Sequence, residues 1–341
     1  GDRPANRGAD IPAYRGVVGA VLRKCYMGNT PYLKPWAFWA SRIHVRSGGV
    51  TQWYDAKAAI GDDMNPAHII RELLTDQTWG MGYADGDIDD ASFQAAADTL
   101  YSEGFGLSFI WERSQSIEDI VQSVMEHIDA ALYVSRDTGK FCLKLARDDY
   151  DPNTIPVLGE DDIVSITDFR RPALGDLINQ VTVKFWDYAS GNDNSVTVQD
   201  LALANQQRTT IGTATTYAGV VTSSLATKIA SRDLKAVSSP LASATLQCGR
   251  AAALLNIGDV FKLVWPRLGL SSMIMRVTGM ELGELDGNTV KIDAVEDVFA
   301  FGASTYAPPP PSGWVAPVST VVAALDARLI NLPAPLSASP Y

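Results

Sequence analysis

Apolar positions recur every three to four residues over much of the stretch from residue 64 to 128, while many runs before and after it alternate as strands do. Asn65 is a favoured N-cap. Pro66 suits a first helical position because its missing N–H would find no partner there anyway, and Ile69, Ile70, Leu73 and Leu74 fall on one face. These positions predict a helix that ends near Asp76. A second helix is predicted from about Ala91 to Glu103, with Phe93, Ala96, Ala97, Leu100 and Tyr101 as its stripe and Gly104 as its stop. A third follows Ser116, which stands at capping-box spacing from Asp119, and carries Ile117, Ile120, Val121, Val124, Met125 and Ile128.

Strand patterns surround these helices. "YRGVVGAVLRKCYM" (14–27) and "WAFWASRIHVR" (36–46) read as paired strands, "LSFIWE" (107–112) as a further one, and "ALYVSRDTGKFCLKL" (131–145) as a hairpin turning at Asp137-Thr138-Gly139. Prolines and polar residues near Asp151 mark a boundary. Beyond it, strands are predicted at 162–169 and 178–188, then a Ser/Thr/Asn/Gln-rich passage to Gly219 read as an exposed loop or edge hairpin. A weaker helix is predicted over 221–237, marked by Val221, Leu225, Ile229 and Leu234. Strands at 241–249, 259–265, 273–283 and 289–296 follow, and such short, turn-punctuated strands suggest a small barrel or sandwich. The expected fold is α+β and multi-domain: a β segment at 1–63, an α+β domain at 64–150, a β-rich domain with one helix at 151–306, and a Pro-rich linker leading into a further element at 307–341.

Charge narrows the partners. With 39 acidic and 28 basic residues the net charge is -11, so the counterion release that drives binding to phosphate backbones is missing on average. Specific nucleic-acid binding is not expected. Cys25, Cys142 and Cys248 are far apart, odd in number and without CxxC spacing, which reads as buried small hydrophobes in a chain folded in a reducing cytosol. No apolar run reaches the ~18 residues of a membrane span. The start at Gly1 and the Pro-rich tail have the look of a piece of a longer chain.

Catalytic sets are scarce. Asp85, Asp87, Asp89 and Asp90 suggest a calcium loop, but Asp90 stands where the loop needs glycine and Ala96 where it needs a bidentate glutamate. Capping of the second helix explains Asp89 and Asp90 better. The three histidines, His44, His68 and His127, stand in no HExxH setting, and the chain has no GxSxG around a serine. "GMGYADG" (80–86) follows a helix and runs into carboxylates, which would repel phosphate. Trp79, Met81 and Tyr83 read first as core closure beside a helix end, and second as a partner or sugar surface. No catalytic residue, metal ligand or cofactor is expected.

The stretch "NPAHIIRELLTDQTWGMG" and its continuation from Asp87 to Leu145 resemble the tail-tip, host-specificity (tip attachment) proteins of phages with long non-contractile tails, which are similar in fold to baseplate hub proteins. Residues 258–301 resemble the barrel strands that such proteins carry next. Asn65, Pro66, Leu73, Leu74, Trp79 and Gly80 are the motif positions, with structural roles. The resemblance implies a homotrimer on the tail axis, β-barrel hub domains of tail-tube type, and an inserted α+β domain that buttresses them. It implies as partners the hexameric tail tube and its distal tail protein, the tape-measure protein, and a tail fibre or receptor-binding protein. The expected place is the virion tail tip, assembled in the host cytoplasm, where the ring forms part of the channel for DNA exit. A cell-wall hydrolase with scattered carboxylates, or a carbohydrate-binding module using Trp79 and Tyr83, are the alternatives.

Overall fold

The structure, a computed structural model, describes residues 45–46, 50–51, 53–111, 115–283 and 287–300. The strand predicted at 14–27, most of that at 36–46, and the Pro-rich segment 307–341 lie outside them. Two short antiparallel pairs come first, β1 (Val45–Arg46) with β2 (Val50–Thr51), and β3 (Ala59–Ile60) with β4 (Asp63–Met64). Helix α1 (Pro66–Thr75) starts at Asn65, whose side chain accepts the Ala67 N–H and donates to Lys57 O and Ala97 O. One buried amide thereby ends a loop, starts a helix and ties down the next. Helix α2 (Asp90–Glu103) begins where Asp89 accepts the Ser92 N–H and stops at Gly104, whose φ of 66° a side chain would resist. The capping box of Ser116 and Asp119 opens α3 (Ile117–Ile128) as the sequence predicts. Strands β5 (Ala130–Val134) and β6 (Phe141–Leu145) form the expected hairpin, turning through Gly139 at φ 68°.

Over its described residues, 107–111, the strand predicted at 107–112 does not form. Only Leu107 pairs, bridging to Met64, after which Ser108 N–H turns to Gly219 O. Phe109 and Trp111 pack on the core as single anchors rather than in a ladder. Aromatic content is ambiguous on this point, since it serves a plug as well as a strand.

Chain 157–216 opens two sheets. Strands β7 (Val157–Leu158) and β8 (Ile163–Arg170) join a later sheet, whereas β9 (Gln180–Asp187), β10 (Asn192–Gln199) and β11 (Gly212–Thr216) form a three-stranded one in the order β10-β9-β11. The polar passage is thus an edge strand hairpinned to β9, a short helix α4 (Leu201–Gln207), and a second edge strand parallel to β9. Buried Asn179 holds this crossover, donating to Gln207 Oε1 and to Thr209 O and accepting the Ile211 N–H. Helix α5 (Ser223–Ser238) covers the inner face of β9 and β10, burying Leu225, Ile229 and Leu234 against Val181, Val183, Phe185 and Val198. These residues share one core with α1–α3 and the β5–β6 hairpin.

The second core lies under a six-stranded sheet made of β7, β8, β12 (Ser243–Gly249), β13 (Val260–Trp265), β14 (Leu270–Glu281) and β15 (Thr289–Glu296), in the order β7-β13-β14-β15-β12-β8. Leu246, Phe261, Leu263, Met275 and Ile292 fill it. Laid flat, the sheet would hold its edge strands ~24 Å apart, five strand spacings. Leu158 and Ile163 are five residues apart, a reach of at most ~18 Å, and the connection is itself a turn in which Gly159 O accepts the Asp162 and Ile163 N–H groups. The sheet therefore curls. Its edges are drawn together at one end, and β8 then runs on from the turn as an open edge through Asp168, a bulge residue at φ 53°.

Candidate functional site

The aspartate run serves helix ends. Asp87 accepts the Ala84 N–H, Asp89 caps α2, and Asp85 and Asp90 flank Arg71 at 2.9 Å and 3.2 Å. Arg71 is almost wholly buried on α1, its guanidinium 4.7 Å from the Trp53 ring centroid. A cation there neutralises the two nearest carboxylates. Among the described residues no group of three or more His, Cys, Asp or Glu side chains is placed to hold a metal ion.

A cleft of ≈ 680 Å³ opens between α3, β11 and α5 and is lined by His127, Tyr217, Arg232, Asp233, Lys235 and Phe299, among others. His127 lies at its wall, with the rings of Phe109 and Tyr217 edge-on at 4.9 Å each. The Gly219 N–H donates to its Nε2 at 3.1 Å, so Nδ1 carries the ring proton and donates to Ser123 O at 2.6 Å. Burial lowers its pKa from the usual value to about 4, a trend that the nearby Arg232 cation reinforces. A general base needs a free lone pair facing substrate. His127 has none. Arg232 is equally committed, to Asp233 and to the carbonyls of His127 and Glu126, and Tyr217 donates to Asp233, so burial and that carboxylate push its phenol pKa up.

A second polar joint ties the two cores. Arg147 pairs with Glu103 through Nε and Nη2, at 2.7 Å and 3.0 Å, and gives its main-chain carbonyl to Arg276. Arg276 also bonds Gly258 O and the buried carboxylate of Asp297, which accepts the Tyr150 hydroxyl. Lys144 pairs with Asp259 and Arg136 donates to Leu255 O nearby. The phenol of Tyr150 is pushed up by burial and by Asp297. Cys142 and Cys248 are buried free thiols, the latter raised to about 11 by burial. Sequence reasoning missed every arginine in these joints, because nothing in their spacing separates a buried cation from a surface one.

The motif positions lie along α1 and the turn that follows it. Leu73 and Leu74 are buried on the α1 face, Asn65 and Pro66 start that helix, and Trp79 meets Trp111 at 5.7 Å between ring centroids. Gly80 crosses the end of α1 so closely that a Cβ there would stand 2.7 Å from both Asp76 O and Leu73 O. His68, on the same helix, lies 4.9 Å from the Trp53 ring with Nε2 3.1 Å from Tyr54 O. His44 and Cys25 lie outside the described residues.

Residues 116–280, from the cap of α3 into β14, match the family described as "Putative phage tail protein". No curated protein matches the chain. Among solved structures, a chain of the virion of a native gene transfer agent particle is similar at 15% identity and a TM-score of 0.44, over 59% of this chain and 43% of that one. The tail protein from Neisseria meningitidis MC58 is similar at 14% identity and 0.42, over 56% and 59%. The 43 kDa tail protein of prophage MuSo2 from Shewanella oneidensis is similar at 15% and 0.39, over 56% and 58%. This chain spans less than two thirds of the length of each. The family match over residues 116–280 bears out the resemblance to phage tail proteins read from the sequence.

Proposed function

We propose that the chain is a structural hub of a phage tail tip, a trimer that joins the hexameric tail tube to distal fibre or receptor-binding parts and lines part of the DNA exit channel. The family match over residues 116–280 is the observation that carries this reading. The curled sheet of β7, β8 and β12–β15 supplies the strands of a tube-type barrel, with the α1–α3 unit bracing it. The site chemistry agrees: His127, Arg232 and Arg276 spend their polar atoms on partners inside the fold, as a scaffold requires. A surface acidic on balance, net charge -11, lets DNA pass without adhering.

Light scattering and negative-stain microscopy of the purified chain, alone and with tail tubes, test this. A threefold ring that caps tube ends supports the hub. A monomer that ignores tubes and clears peptidoglycan in a zymogram would replace it with the hydrolase.

A further inference from the structure

The His127 joint has a property that a scaffold does not need. Gly219 is held from both sides, its N–H by His127 Nε2 and its carbonyl by the Ser108 N–H, and Phe109 lies where a Cβ of residue 219 would be, 2.4 Å away. The chain 217–222 leading into α5 is thus clamped between α3 and the 107–111 segment, with the imidazole as the one titratable member of the clamp. We propose that His127 is an acid-sensitive latch: a proton taken up on Nε2 evicts the Gly219 amide and frees residues 217–222 from α3. The balance of the step is simple. Neutral His127 accepts at Nε2 and donates at Nδ1; the proton occupies the Nε2 lone pair, the ring becomes a cation with two donors, and its new N–H faces the Gly219 N–H.

The adjoining cleft reaches the joint, with His127 and Tyr217 in its wall. The charged and titratable groups facing the joint and its cleft are Glu126 on α3, Asp129 just after it, Tyr217 just after β11, and Arg232, Asp233 and Lys235 on α5. The 107–111 segment offers only the Phe109 ring and main chain. Arg232 opposes the cation, while Glu126 and Asp233 favour it. Burial outweighs them and keeps the latch closed near neutrality.

Amide hydrogen exchange on the full chain tests the latch, with rates corrected for the intrinsic effect of pH and the β13–β14 peptides as reference. Protection of the peptide covering 217–222 is expected to fall at least tenfold between pH 6.5 and 3.5 while the reference holds. In His127→Gln, which keeps every neighbouring carboxylate, that pH step is expected to vanish. Constant protection in the unaltered chain overturns the latch, and an equal step in the variant assigns the effect to the carboxylates and overturns it too. Should the variant fail to fold, carbon-13 resonances of labelled histidine in the unaltered chain decide. A neutral Nδ1–H ring at pH 7 that titrates together with the loss of Gly219 protection is expected, and an Nε2–H tautomer or a ring already cationic at pH 6 refutes it.

Discussion

Gly80→Ala isolates a single physical cause. The backbone of Gly80 lies outside the left-handed region, so alanine brings no dihedral strain, and what it adds is one methyl group. That methyl would stand 2.7 Å from two main-chain oxygens, Leu73 O and Asp76 O, and 3.1 Å from Asp76 Cβ. Carbonyls at a helix end do not swing aside as a side-chain tip does. The turn must move by about half an ångström, and overpacking of this kind costs roughly 1–3 kcal/mol. The same turn carries Met81 N–H to Leu73 O at 2.8 Å and Tyr83 N–H to Leu74 O at 2.9 Å. Weakening one of these adds up to about 1 kcal/mol, while the smaller unfolded-state entropy of alanine returns about 0.4–1 kcal/mol. The net expectation is a loss of about 2 kcal/mol, read from the urea midpoint or as a fall of several degrees in Tm. Gly86→Ala is the control, since nothing lies within 4 Å of that Cβ, and should be neutral or slightly stabilising. An unchanged midpoint for Gly80→Ala would refute the close approach as the reason for glycine.

Leu73→Asp, which buries an unpaired carboxylate in the first core, should cost several kcal/mol and melt α1–α3 as a unit; unchanged thermal stability would contradict the helix face. Asp297→Ala leaves Arg276 without its carboxylate and is expected to cost about 3–5 kcal/mol, with Tyr150 ionising at lower pH in an absorbance titration than in the parent chain. Stability should also fall as pH drops from 6.5 to 4, because the unfolded chain protonates His127 in that window and the folded chain does not. A folded value of about 4 against the usual 6.5 makes this contribution about 3 kcal/mol, absent above pH 6.5 and reduced in His127→Gln; a flat difference between the two proteins across that range would refute it.

The helical half of the fold was legible because its signals are local. Asn65, Asp89 and Ser116 cap helices where the sequence places them, and the stripes of α1 to α3 face the core except at Tyr101, which is 41% exposed with Lys57 over its ring. The α+β class follows from the same signals. What escaped is long-range. Strand β11, "GTATT", carries no apolar alternation, and its parallel pairing with β9 rests on Asn179, a residue with no distinguishing neighbours in sequence. The helix after it begins at Ser223, so Val221, counted on its face, lies outside it. His127 stands in the last turn of α3, where the helix dipole favours a cation, whereas burial and the Gly219 amide keep it neutral. The dipole argument was outweighed by desolvation that only the tertiary packing supplies.

The turn at Gly159–Asp162 acts as a hoop clasp on the six-stranded sheet. Curvature there is fixed by covalent chain length as much as by side-chain shape, so the girth of the curled sheet is adjustable through a handful of backbone atoms. Residues inserted into this turn would let the two edge strands drift apart and the sheet flatten, with Phe261 and Leu246 opening toward solvent. A chain that must match the bore of another assembly could therefore be resized at one surface loop, leaving its core sequence untouched.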